Sequence, residues 1–204
     1  MPRQVDHVAR RRQIAEAVWA VIATHGLEAV SLRGVAAEAG VSMGMVQHYF
    51  TSKDAMLMFA CEHLVERARD EALAMTAGSD DPASPRTAIR NAILPAIPIT
   101  DERRFATSVW FAFLTRAVVD PDLANLIRTS WAGGHAHMVE QVHRAQRRGE
   151  VAVEVDADRE AVGLMALIDG LASHVMLGGA TPDQAVAVVD AHLDRLFTGG
   201  ATAS

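Results

Sequence analysis

"GVSMGMVQHYFTSKDAM", residues Gly40 to Met56, is the stretch on which the reading of the whole chain turns. It sets a polar cluster, Gln47, His48 and Tyr49, between the apolar anchors Val46 and Phe50. Directly after it comes Lys53, the one lysine of the 204-residue chain. Val46 and Phe50 stand four apart, so a helix would put them on one side. Ser42 offers a hydroxyl to cap such a helix, "MGMVQHYF". Upstream, Ser31 offers the same to "LRGVAAEA", which stops at Gly40. Two helices joined by Gly40, Val41 and Ser42 have helix-turn-helix spacing.

Packing then assigns the sides. Leu32, Val35, Ala36 and Ala39 form the inner stripe of the first helix, Val41 plugs the turn, and Val46 with Phe50 anchors the second helix. Ala36 is small enough for the two helices to cross closely. What remains, Arg33, Met43, Met45, Gln47 and His48, points outward. Hydrogen-bonding groups interleaved with slim apolar ones suit the floor of a DNA major groove. Lys53 opens the next helix, whose first N–H groups and dipole already favour an anion such as phosphate. Blander placements stand beside these: His48 and Tyr49 packed on the following helix, Met43 in the core, Arg33 a solvated charge.

Outward from this stretch the chain reads as helices throughout. "RRRQIAEAVWAVIATHG" spaces Ile14, Val18, Val21 and Ile22 along one side and stops on Gly26. After the Thr51–Ser52 stop, a long helix runs over 53–78. "GSDDPASP" at 78–85 is the strongest break. Helices are then predicted over 86–97, interrupted by Pro95 and Pro98, over 101–119, and from a "DPDL" turn at 120–123 to about residue 148. "GEVAVEVDAD" is read as an extended connector, since no second strand-like run exists to pair with it. Two more helices span 157–178 and 182–197.

The net charge of −6 is unevenly spread. Residues 1–54 hold six basic and five acidic groups, and the remainder thirteen and twenty. The front is thus compatible with a polyanion although the whole is acidic. No apolar run approaches the roughly 20 residues of a membrane-spanning helix. The N-terminus lacks the apolar segment of a secretory signal, so no membrane association is expected. A single cysteine, Cys61, excludes an internal disulfide framework and fits a reducing cytoplasm, where it serves as a small core hydrophobe.

Residues 8–68 resemble the DNA-reading head of the TetR family of bacterial transcription regulators. The family's G-V-S turn, small residue, apolar anchor, aromatic or histidine, phenylalanine and S-K-[DE] are met by "GVSMGMVQHYFTSKDAM", and "HYF" is closest to the BetI-like branch. Where many members carry tyrosine, this chain has Gln47. The resemblance implies an all-α fold. A three-helix helix-turn-helix head over 8–68 would precede a helical bundle for ligand binding and dimerisation over 69–204. It further implies that Arg33 reaches a base edge, typically guanine. Ser31, Tyr49 and Lys53 would position phosphates. Ser42, Met43, Gly44, Met45, Gln47 and His48 would form the recognition surface.

One short recognition helix reads too few base pairs for an operator, so a homodimer on (pseudo)palindromic double-stranded DNA is expected. The last two helices are the expected dimer surface. In the first of them Val162, Met165, Asp169, Ala172 and Met176 form one stripe, and Leu164, Ile168, Leu171 and Val175 another. Val186, Val189, Leu193 and Leu196 of the final helix are the expected partner stripe.

The resemblance also implies a small-molecule effector pocket. Its candidates are the aromatics Trp110, Phe111, Phe113 and Trp131 with His135, Met138 and Met165, and Asp169 or His174 to fix a polar or cationic head. The alternative is an ordinary core in which Asp169 pairs with Arg103, Arg104 or Arg116. His137, Glu140 and His143 step by three and drift round a helix, so no metal site is expected. No nucleophile elbow, P-loop or dinucleotide fingerprint occurs, so no enzyme and no cofactor are expected.

Overall fold

The computed structural model describes residues 2–198, with side chains from His7 to Phe197. Among these residues the chain forms nine α-helices and no strand. They are α1 (Pro2–His25), α2 (Leu32–Glu38), α3 (Met43–Tyr49), α4 (Lys53–Ala77) and α5 (Pro85–Ile93), then α6 (Asp101–Ala117), α7 (Pro121–Arg147), α8 (Ala157–Met176) and α9 (Pro182–Thr198).

Local chemistry sets most of these ends. Ser31 Oγ accepts the Gly34 N–H at 3.1 Å, Ser42 Oγ that of Met45 at 3.1 Å, and Ser52 Oγ that of Ala55 at 3.0 Å. Each such cap stabilises a helix start by about 1 kcal/mol, which matters most to the seven-residue helices α2 and α3. Gly40 turns the chain between them at φ 65°, a conformation that a side chain would resist.

Three boundaries differ from expectation. α1 starts well before Arg10. "DPDL" is a helix start, because Asp120 accepts the Leu123 N–H at 3.2 Å and Pro121 occupies a position whose N–H needs no partner. The 149–156 connector is coiled into turns instead of extended. Gln146 Nε2 gathers the carbonyls of Ala152 and Val155 at 3.1 and 2.9 Å, while Val151 is drawn into the core.

The helices pack as two units. One holds the residues up to Arg67 together with 108–127, and the other holds 68–107 together with those from 128 onward. The division expected at 68/69 was continuous in sequence, whereas this one is not. The end of α6 and the start of α7 go with the first unit, where Val109, Phe113, Leu123 and Ile127 are buried.

In the first unit Ile14, Val18 and Trp19 of α1, Val35 and Ala36 of α2, Val46 of α3, Phe50, and Met56 and Ala60 of α4 form the core. Trp19 Nε1 donates to the Ala60 carbonyl at 3.0 Å. A column of rings stands beside it. His63 lies nearly parallel to Trp19 at 5.1 Å and to Phe59 at 6.2 Å, and Arg11 caps Phe59 at 4.0 Å. Burial, then the Arg12 charge, holds His63 below the usual imidazole value. Cys61 is fully buried and its thiol is pushed up to about 12, which makes it inert.

The second unit closes over Ile89, Ile93 and Ile97, Met138 and Val142 of α7, Leu164, Ile168 and Val175 of α8, and Val189, Leu193 and Leu196 of α9. Arg90 grips Asp190 with two hydrogen bonds, at 2.5 and 3.0 Å. This corrects the stripe expected on the last helix. Val189, Leu193 and Leu196 cover the core of their own chain and are not available to a partner. The uncovered side of α9 carries Ala187, Val188 and Ala191 instead.

Candidate nucleic-acid interface

α3 is held by little and presents almost everything. Val46 is its one buried residue, and Phe50, just past its end, tilts against Phe59 at 5.6 Å. Burying a valine supplies roughly 1.5–3 kcal/mol, enough to seat a capped two-turn helix on neighbours already in place. Met43 and Met45 are 44% and 38% exposed, and Gln47 and His48 are exposed beside them. At Gly44 an added Cβ would approach only Ser42 Oγ, at 3.9 Å, so the surface there is open and flat. Arg33 stands exposed on α2, with the cap residues Ser31 and Ser42 exposed as well. Lys53 is half-buried as the first residue of α4. All ten residues named from sequence for this surface therefore lie in the first unit, on α2, α3, the caps before them and the start of α4.

Met43 is outside the core and His48 faces solvent, against two of the blander placements, whereas Arg33 is exposed, as a solvated charge would be. Tyr49 is half-buried, but its ring meets His7 of α1 at 4.7 Å and the edge of His48 at 5.1 Å. The part played by His7 had no signal in the sequence, since a contact between the start of α1 and the end of α3 has no periodicity behind it. The same holds for Gln13, whose Nε2 donates to the Ala39 carbonyl at 2.8 Å just before the turn.

The effector candidates are divided between the two units. Trp110, Phe111 and Phe113 fall in the first unit, and Trp131, His135, Met138, Met165, Asp169 and His174 in the second. Phe113 and Met138 are buried in the cores of their respective units. Met165 packs against the second core from its edge. His135 Nε2 lies 3.7 Å from Asp158. Asp169 and His174 are exposed on α8, and Asp169 is pushed above the usual carboxylate value by partial burial. Arg103 is taken by Glu71, at 2.9 Å, and Arg116 by Asp120, at 3.2 Å, so neither pairs with Asp169. Trp131 is 39% exposed, on a stretch of α7 (131–134) that is exposed at every position. In the first unit an open cleft of about 430 Å³ touches Phe113 alone among the candidates, its other walls including Asp54, Met58, Arg116 and Leu123.

The histidines of α7 are occupied separately: His143 bonds Gln146 at 3.1 Å, and Glu140 accepts from Arg147 at 2.8 Å. Among the described residues no group of three or more His, Cys, Asp or Glu could hold a metal ion. No helix among them is long and apolar enough to cross a membrane.

A capped turn that seats a short helix by one buried valine, and leaves its methionines and polar groups exposed, has the form of the helix-turn-helix class. Comparison with known proteins agrees and narrows the class. Residues 14–58 match the family described as "Bacterial regulatory proteins, tetR family", and residues 85–198 match "BetI-type transcriptional repressor, C-terminal". The HTH-type transcriptional regulator PksA of Bacillus subtilis is 34% identical over 177 residues, 87% of this chain and 83% of that protein. The regulator BetI of Brucella melitensis is 29% identical over 92% of this chain and 90% of its own. A transcriptional regulator from Saccharomonospora viridis, crystallised in complex with choline, is 26% identical with a TM-score of 0.80, covering 92% of this chain and 96% of that one. The chain belongs to the TetR family of bacterial transcription regulators, with a BetI-type C-terminal region, and is not an enzyme.

Proposed function

We propose that the protein is a homodimeric repressor that grips (pseudo)palindromic operator DNA with two α3 helices and lets go when a small molecule binds. One observation carries the DNA half: the side of α3 bearing Met43, Met45, Gln47 and His48 has no packing role in its own chain. In this reading Arg33 and Gln47 meet base edges, while Ser31, Tyr49 and Lys53 fix phosphates.

The dimer half is supported by α8. Val162, Gly163, Ala166, Asp169, Gly170 and His174 recur on one side of it and are all exposed, and Leu177 just beyond its end is 87% exposed. An added Cβ at Gly163 or Gly170 would meet nothing within 4 Å, so a second helix can approach closely there. A second copy is the occupant that would cover this side, together with Val188 of α9.

Effector release follows from geometry. Successive major grooves present themselves about 34–36 Å apart, and both α3 helices must fit at once. α4 begins at Lys53 and continues into the second unit, so an effector bound in that unit acts on the head through this helix. A ligand shifts the balance only by its preference for the splayed state. The exposed stretch of α7 around Trp131 and His135 is the favoured place for it. The work of such a repressor is done in the cytoplasm, where its DNA is.

Gel retardation on the DNA upstream of the protein's own gene tests the reading. Specific retention is expected, with Arg33→Ala altering sequence preference and Lys53→Ala weakening all duplexes while lowering the salt slope by about one. A melting-temperature screen of metabolites then tests the effector, with choline included because the S. viridis relative was crystallised with it. Absence of retention on any genomic fragment would refute the DNA half.

A further inference from the structure

α3 does not end in solvent. Its last residue, Tyr49, lies against the His7 ring of α1, centroids 4.7 Å apart and planes tilted by 57°. Six residues further along α1, Gln13 Nε2 donates to the carbonyl of Ala39, just ahead of the Gly40 turn. Between them Arg10 Nη1 donates to Gln13 Oε1 at 2.6 Å. Residues 7–13 of α1 therefore span from Tyr49, the last residue of α3, to Ala39, just ahead of the turn before its first. Six helical steps cover about 9 Å, close to the length of a seven-residue helix.

Apart from Arg11, which caps the Phe59 ring, this stretch lies outside the core. Burial of α1 begins at Ile14, and His7, Val8, Ala9 and Arg12 are exposed. Its position is nonetheless fixed, by a ring contact at one end and a hydrogen bond at the other. A helix tied at one end to the last residue of α3 and at the other to the end of α2, yet exposed at most of its positions, extends the surface of both.

We propose that the start of α1 is a third part of the DNA interface and that His7 is a phosphate-contacting residue, held in place by Tyr49 at the end of the reading helix. The proposal rests on α3 being the groove helix. An imidazole N–H donates to a phosphate oxygen in either protonation state, and the protonated ring also displaces a condensed counterion. The His7 ring meets Tyr49, whose ring in turn meets the edge of His48.

The test uses the full-length protein and a fluorescent duplex selected from a random library by the wild type. Affinity is measured against salt at about pH 6 and about pH 8 for wild type, His7→Phe, His7→Lys and His48→Phe. His7→Phe keeps a ring on Tyr49 and removes the N–H and the charge. It should weaken binding about 5- to 10-fold at the lower pH and take about one unit per head from the salt slope, with an unchanged melting temperature. His7→Lys should hold the steep slope at both pH values. His48→Phe separates the other exposed histidine from the effect. Wild-type affinity and slope in His7→Phe at both pH values would overturn the proposal. So would a shallow slope in His7→Lys, which also decides the matter if the phenylalanine variant folds poorly. Failure of the wild type to select any duplex would sink the groove-helix reading itself, and this inference with it.

Discussion

α3 and α8 each leave one side bare in the single chain, and they do so by opposite means. α3 buries Val46 and presents the rest, a side of polar groups and methionines that water tolerates. α8 is apolar nearly all round. One side of it, Leu164, Ile168, Ala172 and Val175, closes the core of its own unit. The other carries Val162, Gly163, Ala166 and Gly170 along with Asp169 and His174, a side whose small residues leave room for close approach. In the proposed reading the two bare sides take different occupants, nucleic acid on α3 and a second copy on α8.

The comparison breaks most visibly at Val46. A carboxylate there would be buried without a partner, at a cost on the order of 3–5 kcal/mol. Val46→Asp should therefore abolish duplex binding while sedimentation still reports a dimer. If the dimer also vanishes, the two bare sides are not independent. Gly170→Leu is the reciprocal case. The single chain has room for the side chain, so helicity by circular dichroism should be kept. Close approach of a second α8 would be blocked, and the dimer dissociation constant should rise by about 100-fold or more, near 2.8 kcal/mol. An unchanged sedimentation coefficient would show that this side of α8 faces something other than a second copy.

A smaller effect separates the cores behind the two helices. His63 sits in the ring column of the first unit with its pKa lowered by burial. Between its folded value and the unfolded value of about 6.5, the unfolded chain binds more protons. Stability is fully present above that window and is lost as the pH falls through it, by up to about 1.4 kcal/mol per pH unit. Denaturant titrations between about pH 5 and pH 8 should show this slope in the wild type and lose it in His63→Phe. The smallest change expected is at the second unit's ion pair. Asp190 is held below the usual carboxylate value by the Arg90 hydrogen bonds, so its contribution is present above about pH 4 and fades as the pH drops through its lower folded value. Asp190→Asn should cost about 0.5–1.5 kcal/mol near neutral pH, read as a lower melting temperature with duplex binding unchanged.

What could be read from sequence was local. Ser31 and Ser42 announce the helix starts because a cap bonds a group three residues away. The inner stripe of α2 and the Val46–Phe50 anchor follow from a helical period within a dozen residues, and Met43, Met45, Gln47 and His48 emerged outside as the period requires. The effector candidates were gathered by residue type alone. Aromatic content has no directional information, and Phe113 and Met138 went to separate cores. The "DPDL" turn was misplaced because proline and aspartate serve a helix start as well as a turn.

The sequence by itself determined the helix-turn-helix and the outward side of α3, since caps, turn and period all act within one or two helical turns. Only the tertiary structure decided which side of α8 and α9 is inside the chain and that residues 108–127 pack with the head. Only it, too, set His7 beside Tyr49. A helix apolar on both sides satisfies the same pattern with either side buried. The choice rests on which distant helices come to lie against it, and spacing along the chain says nothing of that.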